Sequence, residues 1–132
     1  RITAVSNSRP QREFIEARCR ERGFANVRVL TCDVNRLELP ADGFDRCVSV
    51  EMFEHMRNYE TLLGRIAGWL RPGGTLFVHI FTHKEVPGHY ENGWMSENFF
   101  SGGTLPSDNL LLYFQQVRAR LCVFGILLAG FL

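Results

Sequence analysis

Glu51, Glu54 and His55 stand within five residues in the stretch CVSVEMFEHMRNY (47–59), directly after a strand-like run at 47–50. Paired carboxylates beside a histidine can hold one another's protons, and an imidazole titrates near neutrality. Such a trio suits general acid–base work, for instance orienting an amine and taking its proton. A helix beginning near Ser49 would give the spacing i, i+3, i+4 and put all three on one face. The same glutamates in a first helical turn would also complement the helix dipole, a purely structural use.

Other candidates are less pointed. Asp33 follows an apolar run, where its carboxylate could accept hydrogen bonds from the amine or hydroxyl of a nucleotide-like ligand, or could cap a turn. His79 lies inside TLFVHIF (75–81) and by position reads as a core histidine. His83 and His89 share a loop with Lys84, Glu85 and Tyr90, without a spacing that defines a metal site. FFSGGTLPS (99–107) joins aromatics to a Gly-Gly turn and a proline, the chemistry of a substrate-facing connection or of an ordinary loop.

These residues need elements to position them. ITAVS (2–6) is a short β-type run, and RPQREFIEARCRERG (9–23) is a helix with Pro10 in its first turn and Gly23 as its stop. NVRVLTC (26–32) is a second strand and FDRCVSV (44–50) a third, with LPADGF (39–44) as the turn between them. YETLLGRIAGWL (59–70) repeats apolar residues at helical spacing, RPGG (71–74) stops it, and TLFVHIF (75–81) is a fourth strand. This order predicts an α/β fold with a parallel sheet and crossover helices. In open sheets of that kind ligands sit outside the carboxyl ends of the strands, which predicts Ser6, Asn7, Asp33, Glu51 and the residues after Phe81 along one rim.

At 132 residues one domain is the natural count, and 45% hydrophobic with 22% charged residues is ordinary for a soluble globular chain. A formal net charge of +1 argues against wholesale nucleic-acid binding. The arginines at 9, 12, 18, 20 and 22 alternate with Glu13, Glu16 and Glu21, as on a solvated helix face. Cys19, Cys32, Cys47 and Cys122 form no C-x-x-C pair, and reduced thiols fit a cytoplasmic setting. No signal peptide is visible. The chain opens on Arg1 in what reads as a mid-domain strand, so a fragment is expected. Nothing in it specifies an oligomer.

SVEMFEHMRNYETLL with RPGGTLFVHIF and FFSGGTLPS resembles the class I S-adenosylmethionine-dependent methyltransferases. More narrowly, it is similar to the branch of cyclopropane-fatty-acyl-phospholipid synthases and coclaurine-type N-methyltransferases. AVSNSRPQ matches that branch's ribose-approaching segment, and the resemblance covers roughly residues 2–116. It implies a Rossmann-like fold, incomplete here. The first strand and its Gly-rich loop are expected to be missing, and residues 117–132 to form a divergent apolar tail in place of the usual C-terminal strands. That tail's last twelve residues are short for a membrane span.

The resemblance also implies roles. Ser6, Asn7 and Gln11 would lie by the ribose of S-adenosylmethionine, Asp33 and Val34 would flank the adenine, and Val50 would contact the methionine arm. Glu51, Glu54 and His55 match the acid and imidazole positions of the N-methyltransferase site. The equivalents of Glu54 and His79 in cyclopropane synthases hold a bicarbonate, which moves His79 from the core toward the site. A small amine is the expected substrate, since Glu51 stands where many cyclopropane synthases carry Gly, with a lipid as the alternative. No metal is required. A third possibility is a fragment with no activity, degraded or partner-binding. A nicotinamide-dependent oxidoreductase would share the fold but should carry a G-x-G-x-x-G turn, which residues 1–132 lack.

Overall fold

The computed structural model describes residues 1–90, 93–98, 102–117 and 122–130, and for Met95, 115–117 and 122–130 the description is of the backbone. Residues 99–101 of the expected connection, and 118–121 and 131–132 of the expected tail, lie outside the described residues. The chain gathers into two compact units, Arg1–Leu39 and Pro40–Leu132. Each is built on a β–α–β unit.

In the first unit, strand β1 (Ile2–Ser6) leads into helix α1 (Arg9–Glu21) and strand β2 (Val27–Thr31). β1 and β2 pair in parallel, with Ile2 opposite Val27 and Ser6 opposite Thr31. Ser8 caps α1 by accepting from the backbone N–H of Gln11, and Pro10 occupies the first turn, where its missing N–H costs nothing. The helix stops because Gly23 takes φ +68°, a left-handed conformation open to a residue without a Cβ. The arginine-rich face is tied along the helix by Arg9–Glu13 and Arg12–Glu16 pairs at i, i+4 and an Arg18–Glu21 pair at i, i+3. These are solvated contacts, each worth a few tenths of a kcal/mol (about 0.2–0.5).

In the second unit, strand β3 (Phe44–Val50), helix α2 (Tyr59–Trp69) and strand β4 (Leu70–Thr82) repeat the pattern. β3 and β4 are parallel, and strand β7 (Cys122–Gly130) pairs parallel to β4 on its other side. The sheet order is β3-β4-β7, so β3 is an edge among the described residues. Leu62, Leu63, Ile66 and Ala67 of α2 are all 2–3% exposed, the apolar stripe of an amphipathic helix. The second unit's core combines them with Leu76, Val78 and Ile80 of β4 and with Phe53, Met56 and Tyr59. Asn58 caps α2 by accepting from the N–H of Thr61 at 3.0 Å. Asn58→Ala should therefore lower stability by about 1 kcal/mol, read as a drop in the urea midpoint at unchanged slope.

Two local expectations are corrected. RPGG does not separate helix from strand. β4 starts at Leu70, opposite Phe44, and the next register pair joins Arg46 to Thr75, so 71–74 form an irregularity inside the strand. Arg71 secures it, donating from Nε to the Asp42 carbonyl at 3.1 Å and from a terminal nitrogen to Asp45 Oδ1 at 2.7 Å. Nor does a helix begin near Ser49. Ser49 and Val50 stay in the ladder opposite Val78 and His79, and Glu51 still donates its N–H to the His79 carbonyl at 3.0 Å. Only a 3₁₀ turn follows, Phe53–His55. Strand pairing holds the backbone extended where local sequence alone allows a helix.

Four further small elements of the second unit lie among the described residues. Strand β5 (Gly88–His89) pairs antiparallel with β6 (Thr104–Leu105), and helix α3 (Trp94–Asn98) stands between them in sequence. A 3₁₀ segment, Leu110–Val117, follows β6.

Candidate functional site

In the first unit the carboxyl ends of β1 and β2 gather Ser6, Asn7, Gln11, Asp33 and Val34. The Ser6 hydroxyl donates to Gln11 Oε1 at 2.6 Å and accepts from the N–H of Ser8 at 3.1 Å. Asp33 Oδ1 accepts from the backbone N–H and the side-chain amide of Asn35, at 2.9 and 3.0 Å. The capping use of Asp33 is thus realised, over the 3₁₀ turn Val34–Arg36. Its carboxylate is exposed, as are Asn7 and Gln11, while Ser6 and Val34 are half-buried. One end of a two-stranded sheet therefore carries a hydroxyl, two amides and a carboxylate.

In the second unit the carboxyl ends of β3 and β4 bring Val50, Glu51 and His79 together. Val50 is opposite His79 in the ladder and is 57% exposed. Glu51 adopts φ +48°, a conformation that costs an L-residue about 1–2 kcal/mol. Its Oε1 lies 2.7 Å from His79 Nδ1. That nitrogen has no partner in good hydrogen-bond direction. The distance is that of an ion pair, so we read a close approach of carboxylate to ring rather than an aligned hydrogen bond.

His79 is not a core histidine. Leu76, Val78, Ile80 and Thr82 alternate inward along β4, and His79 stands on the opposite face with its side chain 28% exposed.

Glu54 is the outlier. Its side chain is 1% exposed and Oε2 has no hydrogen-bond partner. Burial raises its pKa from 4.5 to about 7, with a backbone hydrogen bond pulling the other way. The negative charge of Glu51 and a side-chain hydrogen bond with it raise the value further. Two carboxyl groups in such reach favour sharing one proton over both ionising. Glu54, Glu51 and His79 thus stand in a line, with the raised carboxyl at its buried end. His55 closes the 3₁₀ turn, exposed, and is not on one helical face with Glu51.

Four residues that the sequence did not single out as site residues bear on Glu54. Burial and the Glu54 charge push the Tyr90 phenol up to about 12. Tyr59, 3% exposed, is raised chiefly by burial and then by Glu54, with a hydrogen bond from Thr104 opposing. Gly103 approaches the Glu54 backbone so closely that a Cβ there would lie 2.5 Å from the Glu54 carbonyl oxygen. GGT within FFSGGTLPS was the available signal, since a glycine pair can mark close backbone approach. Elsewhere, burial pushes the Cys47 thiol up to about 11, consistent with an inert thiol.

The mycolic acid cyclopropane synthetase family matches residues 1–124. An (S)-coclaurine N-methyltransferase of Thalictrum flavum subsp. glaucum is 46% identical over 122 residues, 88% of this chain and 34% of that protein. A cyclopropane-fatty-acyl-phospholipid synthase of Escherichia coli (strain K12) is 32% identical over 108 residues, 80% of this chain and 26% of that protein. The crystal structure of a coclaurine N-methyltransferase bound to N-methylheliamine and SAH superposes with a TM-score of 0.78 at 40% identity. That match covers 87% of this chain and 35% of that one. The chain spans about a third of the length of the first two N-methyltransferase relatives it matches.

Proposed function

Because the chain belongs to the mycolic acid cyclopropane synthetase family, with the Rossmann-like fold of class I methyltransferases, we propose that it serves S-adenosylmethionine-dependent N-methylation of a small amine. The observation that carries this reading is the Glu54–Glu51–His79 line at the ends of β3 and β4. An aliphatic amine is protonated at neutral pH and must lose that proton before its lone pair can attack. Glu51, half-exposed beside His79, is placed to accept it, and the buried Glu54 can hold or return a proton near pH 7. The negative charge of the half-exposed Glu51 would also favour the product ammonium. That arrangement favours an amine over an uncharged lipid chain.

The residues at the ends of β1 and β2 fit the cofactor by their chemistry. Ser6, Asn7 and Gln11 would hold ribose hydroxyls, Asp33 the adenine amine with Val34 against the ring, and Val50 would line the methionine arm. S-adenosylmethionine supplies the electrophilic methyl group on its sulfonium. The chain's part is to orient the amine and manage its proton. Free thiols at Cys19, Cys32 and Cys47 suit a cytoplasmic enzyme.

The test is transfer of labelled methyl from S-adenosylmethionine to a panel of secondary amines and to unsaturated phospholipid vesicles. It should use this chain and the same chain joined to the flanking segments of the Thalictrum relative. Label in an amine is expected, with Asp33→Ala weakening cofactor binding about tenfold, the scale of one hydrogen bond to a charged group. Label only in lipid, or bound cofactor with no transfer, overturns the reading.

A further inference from the structure

The turn that carries Glu54 is held at two successive carbonyls by groups that the proposed chemistry does not use. Tyr59, the first residue of α2, stacks on Phe53 with ring centroids 6.0 Å apart and planes 14° from parallel. Its hydroxyl donates to the Phe53 carbonyl at 3.0 Å. Phe114 meets the Tyr59 ring edge-on at 5.9 Å. The buried Thr104 hydrogen-bonds the same phenol, giving its hydroxyl a second partner. The next carbonyl, that of Glu54 itself, meets the bare Cα of Gly103. A phenylalanine at 59 would fill the stacked space equally well, so the hydroxyl is there for direction.

We propose that Tyr59 is a positioning residue for Glu54. Its hydroxyl, oriented by Thr104, fixes the Phe53 carbonyl and thereby holds the Glu54 carboxyl in its buried place beside Glu51. This rests on the reading of Glu54 as the proton-holding acid. Among the described residues, the titratable groups that bear on it are Glu51 before it, Tyr59 on α2 and Tyr90 after β5, with His79 on β4 reached through Glu51. Both phenols are raised by burial, so neither titrates where Glu54 does.

The experiment follows the infrared carbonyl band of the protonated Glu54 carboxyl against pH, assigned by its loss in Glu54→Gln. In Tyr59→Phe the loosened turn admits water, and the midpoint of that band should fall by about one pH unit, a tenfold loss of proton affinity. Where the wild type is active, kcat should fall by a similar factor while the KM for the cofactor holds. Thr104→Val should move the midpoint the same way by less, and Thr104→Ser should leave it in place. A lower Tm with an unmoved midpoint would make Tyr59 merely structural and overturn the proposal. If Tyr59→Phe does not fold, an unmoved midpoint in Thr104→Val overturns it equally. A shifted midpoint in a chain whose wild type transfers no methyl group would keep the clamp and remove the functional reading instead.

Discussion

Replacing Glu54 with glutamine should lower methyl transfer about a hundredfold or more while making the fold harder to unfold at pH 8. The activity loss is the usual scale for removing a general acid–base group. The stability gain follows from the direction of the shift. The folded state raises the Glu54 pKa from 4.5 to about 7, so it binds that proton more tightly than the unfolded chain does. Below pH 4.5 both states are protonated and the native fold has its full stability. Between 4.5 and about 7 the unfolded chain ionises first, and stability falls as pH rises. Above about 7 the folded protein carries a buried charge it tolerates poorly. The rise is equivalent to about 3 kcal/mol across that window. Glutamine keeps the shape and cannot ionise, so its stability should stay flat. Urea unfolding of both proteins at pH 5 and pH 8 reads the difference. A wild type with equal stability at the two values would remove Glu54 as a buried acid.

Glu51→Gly should separate stability from activity. At φ +48° the glutamate strains its backbone, and glycine relieves about 1–2 kcal/mol of that cost. Part of the relief is offset by the extra freedom of glycine in the unfolded chain. The lost contact with His79 is half-exposed and contributes at most about 1 kcal/mol. The glycine variant should therefore be as stable as the wild type or slightly more so, and about 1 kcal/mol more stable than Glu51→Ala, which keeps the strain. Both should lose roughly tenfold to a hundredfold in turnover. In both, the Glu54 titration should move down, because the neighbouring negative charge is gone. Equal stabilities for the glycine and alanine variants would show that the backbone is not strained. Unchanged turnover would take Glu51 out of the chemistry.

Much of the framework is legible in residue order alone. The stripe Leu62, Leu63, Ile66, Ala67 places α2 to within one residue, because helical periodicity is a local property. FDRCVSV gives β3 its observed ends, and α1 begins where Pro10 in a first turn requires. The early start of β4 is not legible, since it depends on which residue of β3 lies opposite Leu70. The left-handed turn at Glu51 is hidden for the same reason, because it depends on a bond to His79, distant in sequence. His79 looks like core because apolar residues occupy both faces of its strand, which erases the two-residue alternation that would have turned it outward. Gly103 and Thr104 reach the Glu54 turn from roughly fifty residues away, and neither they nor the nearby Tyr59 announce chemistry by residue type.

The outer rim of β3 has a consequence for handling this chain. Among the described residues nothing pairs with its second side, and Val48 and Val50 on the strand stand 66% and 57% exposed, beside Phe77 at 38%. An open strand edge next to an apolar face is a template for another chain. Asp45 and Arg46 are the charges that β3 offers against such growth, and both sit at its amino half. Crowded solutions of this polypeptide are therefore prone to edge-to-edge association and fibre growth, starting at the Val48–Val50 end.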